Sequence, residues 1–315
     1  MTNIYWPIYK NIESELNRLT FDIHIDDNQL NVYSSKITDL ILRAAIEIES
    51  ISKDLYLSNG GSKTDNIKYD ETAIKHLNRL WKLDEKVVII SSLNCFQTNR
   101  ILKPFVKNEE KTGSKRLTFS WNNSYQNLKH NRSSSIKYGS LKYLFDIISA
   151  LFILNIYYKN EGFFINRNDV SFKFPENMGS LMFSVKLHKW SSYNSSGAYG
   201  KKEDFDECLY ITKYTKESEA INAESQKEIT KKNIERFFNH PKIIKYINDN
   251  SLNINEFAST NFYTKVREII GKNEYYNIIK TNFETDIKSR KETNFEAILN
   301  KNNINSHILG VNKKS

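Results

Sequence analysis

Apolar side chains recur every three or four positions in the stretch ending near residue 57: Ile37, Leu40, Ile41, Ala44, Ala45, Ile48, Ile51 and Leu55. That spacing puts them on one face of an α-helix. Asp26, Asp27 and Asn28 offer N-caps upstream, and Gly60-Gly61 terminates the stripe. The same reasoning predicts helices over 5–19, where Pro7 suits a first turn, and over 70–81, with Ile74, Leu77 and Leu80 inward. A further helix is predicted over 121–131, with Trp121, Tyr125 and Leu128 on one face. Residues 141–158 are apolar on every side, which predicts a helix at the centre of a bundle. Residues 87–95 are apolar and β-branched, and read as a strand or the start of a helix. Residues 1–160 therefore read as one helical domain.

The period changes after Gly162. Residues 170–174 read as a strand. Over 181–188 the alternation is clean: Leu181, Phe183, Val185 and Leu187 on one face, Met182, Ser184, Lys186 and His188 on the other. That predicts a half-exposed strand. Residues 191–204 are rich in Ser, Gly, Asn and Lys and read as a loop, and 207–213 returns as a strand. Helices are predicted over 217–238, 241–248, 255–271 and 275–300. The expected architecture is mainly α: an N-terminal helical bundle, then a second domain over 161–315 with a small α+β region, a few antiparallel strands and C-terminal helices.

Composition narrows the function classes. Of 315 residues, 13% are aromatic, which predicts a folded chain, and Gly (10) and Pro (4) are scarce. Two cysteines, Cys95 and Cys208, build neither a disulfide framework nor a four-thiolate zinc site. The six histidines are scattered, and no His-Glu-x-x-His, P-loop or Gly-rich dinucleotide turn is present. No metal and no cofactor are expected. The N-terminus lacks the pattern of a signal peptide, and Lys142, Asp146 and Asn155 interrupt the apolar helix. A cytoplasmic protein without a membrane span is expected.

The formal charge of +9 is concentrated. The window 101–142 holds nine basic residues (Lys103, Lys107, Lys111, Lys115, Arg116, Lys129, Arg132, Lys137 and Lys142) against Glu109 and Glu110. It carries +7, so nearly all the excess sits there. A basic patch attracts phosphates, which points to a polyanion such as RNA. Within it lies Tyr125-Gln126-Asn127-Leu128-Lys129-His130-Asn131-Arg132. A His in a basic cleft can move protons near neutral pH, and the planar fork of an Arg can hold a phosphate. Together they suit metal-independent RNA cleavage: His130 as acid or base at the ribose 2′-OH or leaving oxygen, Arg132 as phosphate clamp. Lys129, Lys137, Lys115 and Arg116 would hold the backbone. A helix-end His interacting with the C-terminal dipole is the plainer reading of His130.

The stripe Leu40-Ile41-Leu42-Arg43-Ala44-Ala45-Ile46-Glu47-Ile48-Glu49 resembles bacterial HEPN-type domains. So does a polar helix ending in Leu128-Lys129-His130-Asn131-Arg132 before a very hydrophobic helix. The resemblance covers residues 26–160. It implies an HEPN-like bundle and a ribonuclease or binding module of a toxin or antiviral defence (abortive-infection) system, acting as a homodimer or with a partner protein. The family's motif is an Arg followed after four to six residues by His. No Arg stands at that spacing before His130; the nearest is Arg116. The resemblance therefore carries over only His130, with Arg132 as a substitute, and a non-catalytic nucleic-acid- or protein-binding module is the alternative.

Arg43 and Glu47 read as a semi-buried ion pair able to orient His130, with Tyr125 and Asn131 in support. Arg236 and His240, closely followed by Pro241, read as a helix end. The acidic cluster Glu203, Asp204, Asp206 and Glu207 reads as a solvated loop, and Lys186 and His188 as the exposed face of a strand. Tyr193 and Tyr199 are candidates for stacking on bases.

Overall fold

The computed structural model describes residues 3–63, 66–90, 96, 98–109, 117–165, 174–189, 203–258, 261–280 and 293–302. The chain forms two compact units. The first comprises Met1–Phe163, Lys173–Lys213 and Ala297–Ser315, and the second Phe164–Phe172 and Tyr214–Glu296. The first unit thus takes in segments that lie far beyond residue 160.

The first unit is led by helices α1 (Tyr5–Asp22), α2 (Ser35–Ser58), α3 (Lys75–Trp81), α4 (Ser120–His130) and α5 (Leu141–Lys159). Every residue of the predicted stripe from Ile37 to Leu55 is buried on α2. The helix starts later than expected. Asp26 caps a short 3-10 turn instead, its carboxylate accepting from the Asn28 and Gln29 N–H groups. Ser34 caps α2, its Oγ accepting from the Ile37 N–H at 3.2 Å. Replacing Ser34 with Ala should cost about 1 kcal/mol, read as a shift of the urea midpoint at constant slope.

Helix α5 packs chiefly on α2 and is buried on all sides from Ile147 through Tyr157. It is the one helix among the described residues long and apolar enough to cross a membrane, and 78% of the relevant window is buried inside the protein. Hydrophobicity all round is what the middle of a bundle demands. The segment before α3 begins in π-helical geometry over Tyr69–Ile74.

Among the described residues, three small sheets accompany the helices. Strand β1 (Val88–Ile90) settles the described part of the ambiguous segment 87–95, whose residues 91–95 lie outside the described ones: it pairs antiparallel with both β2 (Arg100–Leu102) and β6 (Phe183–Val185). Between them, β3 (Lys107–Glu109) pairs with β4 (Leu117–Phe119). The last sheet has the order β5 (Phe163–Ile165), β9 (Phe295–Leu299), β8 (Tyr210–Tyr214), β7 (Leu187–His188). Its β7–β8 pair is parallel, with His188 opposite Ile211, so the expectation of antiparallel strands fails there. The helix expected over 275–300 is also corrected. Residues 295–299 form a strand between β5 and β8, with Ala297 and Leu299 buried at alternate positions. The strand expected at 170–174 lies mostly outside the described residues.

The second unit holds α6 (Lys216–Phe238), α7 (Pro241–Asp249), α8 (Ile254–Phe257), α9 (Phe262–Ile270) and α10 (Lys272–Lys280). Its core is Phe237, Ile243, Phe257, Val266 and Ile270. The single helix expected over 255–271 is two, with Asn261 in the left-handed region at φ +70°. His240 caps α7, its Nδ1 accepting from the Lys242 N–H at 3.3 Å with Pro241 at the first helical position. The Arg236–His240 pair is thus part of a helix junction, as read from the sequence.

Candidate functional site

Helix α4 forms where it does because Trp121, Tyr125 and Leu128 bury one face. The opposite face is polar: Ser120, Asn123, Asn127 and His130 follow one another at helical spacing. Asn127 Nδ2 donates to the Asn123 carbonyl at 2.8 Å and to its Oδ1 at 2.9 Å. From Ser120 to His130 this face runs roughly 15 Å at the helical rise per residue.

At the C-terminal end of α4, Lys129, His130, Asn131 and Arg132 are all exposed, as is Lys137 in the following turn. Among the described residues His130 has no hydrogen-bond or ion-pair partner. The two residues expected to act together are not joined: Arg132 Nη2 donates to Asp39 Oδ1 of α2 at 2.9 Å. Lys129 lies 5.3 Å from the centre of the Tyr125 ring, whose hydroxyl donates to Glu49 at 3.1 Å. Burial, then the Glu49 charge, push the Tyr125 phenol up. Tyr125 therefore fixes Lys129 in place over an aromatic face. Lys115 and Arg116 lie outside the described residues, as do Tyr193 and Tyr199.

Arg43 and Glu47 do not form the expected contact. Arg43 is exposed and donates to Asn11 Oδ1 at 2.8 Å. Burial raises the Glu47 carboxyl, and the Arg43 charge only partly offsets it.

The N-terminal end of α4 opens on a cavity of about 450 Å³, lined among others by Lys103, Ser120, Asn123, Lys142, Tyr143 and Asp146. Burial raises the Asp146 carboxyl, opposed by a hydrogen bond from Ser120 and by the Lys142 and Arg100 charges. A perturbed carboxyl in a polar cavity beside cations is the kind of group that functional sites gather. In the sequence Asp146 reads only as a break in an apolar helix. Its i, i+4 spacing from Lys142 was the available signal.

The acidic cluster is not a solvated loop. Asp206 accepts from Lys82 at 3.0 Å, and Glu207 from Lys186 at 2.9 Å, with Lys103 at 3.1 Å. Hydrogen bonds from Lys186 and then Lys103 lower the Glu207 carboxyl. Lys103 of the basic window is thus partly neutralised. His188, expected on an exposed face, is 2% exposed. Its Nδ1 lies 2.9 Å from Asp204 Oδ1, and its ring meets Phe205 edge-on at 5.2 Å. Cys208 Sγ lies 3.6 Å from Asp204 Oδ2. Burial, then the Asp204 charge, push its thiol up to about 12. These three are the residues among those described whose ligand atoms gather as a metal would require.

Known protein-family models, curated proteins and solved structures yield no match to this chain. Function therefore has to be argued from this geometry and from the sequence.

Proposed function

We propose that the chain is an RNA-binding protein that lays a phosphate backbone along the length of α4. The observation that carries this is the placement of exposed cations at both ends of α4. Lys142 stands at the cavity by Ser120 and Asn123, and Lys129 is exposed in the last turn of α4, with Lys137 exposed in the short helix that follows in the chain. Phosphate contacts position such a strand. The test is the affinity for single-stranded RNA as salt is raised. Binding that weakens log-linearly, with a slope of about −0.7 per phosphate contact, supports the reading. A slope near zero would refute it.

A second reading, metal-independent RNA cleavage in a toxin or defence setting, is favoured by one observation. The His130 imidazole is exposed and unengaged among the described residues, so it is free to approach a ribose. Against it stands Arg132, which Asp39 holds. Wild-type chain and His130→Ala should be incubated with total RNA and tRNA in EDTA. Cleavage by the wild type alone would establish this reading. Intact RNA in both leaves the binding role as the better account.

A further inference from the structure

Three chain segments converge beneath β7 and β8. His188 ends β7, Asp204 sits in the 3-10 turn Glu203–Phe205, and Cys208 follows on the same turn. The Cys208 N–H donates to the Asp204 carbonyl at 3.1 Å, which places the two side chains one helical turn apart on one side. The parallel pairing of β7 with β8 then brings His188 alongside. The imidazole nitrogen, the carboxylate oxygen and the thiol sulfur all lie within 4.8 Å of one another.

We propose that His188, Asp204 and Cys208 form a binding site for a divalent transition metal of the zinc class. One nitrogen, one oxygen and one sulfur ligand suit a borderline-soft ion and do not suit calcium or magnesium. Tetrahedral bonds of about 2.0–2.3 Å put ligand atoms about 3.4–3.8 Å apart. The separation of 3.6 Å between Cys208 Sγ and Asp204 Oδ2 already matches. His188 Nδ1 lies 2.9 Å from the other carboxylate oxygen, Oδ1, a hydrogen bond that the ion would replace by a turn of the carboxylate and a small opening of the pair. The Asp204 side chain is 41% exposed, which gives the ion a path in and a water at the fourth position.

Surrounding contacts hold the ligand turn rigid. Asn300 Nδ2 donates to the Phe205 carbonyl at 2.7 Å and the Cys208 carbonyl at 3.1 Å. Lys86 Nζ donates to the Asp206 carbonyl at 2.7 Å. Ligands fixed by such outer contacts lose little entropy when the ion arrives. Charge also balances. One thiolate and one carboxylate neutralise a divalent ion, so the nearby Lys86 and Lys186 ammonium groups meet a neutral centre. The thiol proton leaves to solvent as the sulfur binds.

The test uses the full chain, stripped with chelator and titrated with Co²⁺. The expected result is one equivalent bound, a thiolate-to-cobalt charge-transfer band, and displacement by Zn²⁺. Cys208→Ser should abolish the band, Cys95→Ser should keep it, and Asp204→Asn should weaken binding at least about tenfold. Absence of the band in the wild type would overturn the proposal and leave the trio as a structural clip. So would a band that survives Cys208→Ser. Should Cys208→Ser not fold, unchanged affinity in Asp204→Asn, at a half-exposed carboxyl, overturns it equally.

Discussion

Glu13→Leu should destabilise the chain by about 3–5 kcal/mol, because it strips a buried, multiply hydrogen-bonded charge from its donors. Glu13 is fully buried on α1. Its Oε1 accepts from the Tyr9 hydroxyl at 2.8 Å, from the Leu181 N–H at 2.9 Å and from the Met182 N–H at 3.2 Å. The Ser180 hydroxyl donates to it as well. Its Oε2 takes the Lys10 ammonium at 2.6 Å. Burial, then the Glu13 charge, hold the Tyr9 phenol well above its ordinary range, so it remains a donor. One carboxylate therefore ties the first helix to a turn about 170 residues later and satisfies its backbone. Leucine fills the volume but leaves those donors without their acceptor, and each such loss is worth about 1–3 kcal/mol. Urea denaturation at pH 7 measures it. A loss below about 1 kcal/mol would mean that water or a neighbour replaces the carboxylate with ease.

Lys129→Ala, Lys137→Ala and Lys142→Ala combined should weaken single-stranded RNA binding about 10²-fold at 0.1 M salt. The figure follows from counterion release. Three contacts at about 0.7 each remove roughly two units of slope in log affinity against log salt. At 0.1 M that is about two decades relative to molar salt. All three side chains are exposed. Each lies near an aromatic ring rather than in a contact-distance ion pair among the described residues. The fold should therefore survive, with an unchanged circular dichroism spectrum. Fluorescence anisotropy across a salt series reads both numbers together. An unaltered slope would place the phosphate contacts elsewhere and remove α4 from the proposal.

Local periodicity reached the helices because burial on one side repeats along the chain itself. The stripe of α2 is of this kind, and so is the all-round apolar α5, whose place at the centre needs no partner to be inferred. The basic window was legible as charge, but its division was not. Lys103 goes to Glu207 and Arg132 to Asp39, because acidic groups from distant segments fold against them. His188 was misplaced for a related reason. Two-fold alternation assigns faces of a strand, but which face is covered depends on what lies across it, here Phe205 and Asp204.

The sequence by itself determined a mainly helical chain, the buried stripes of its N-terminal helices and the location of its excess charge. These depend on spacings of three, four or two residues and on simple sums. The tertiary structure alone decided that 88–90 and 295–299 are strands, since each is stabilised by ladders to segments remote in sequence. It also decided that one carboxylate of the first helix serves a turn near residue 181. Finally it brought a histidine, an aspartate and a cysteine to one point through a parallel strand pair that no local pattern specifies.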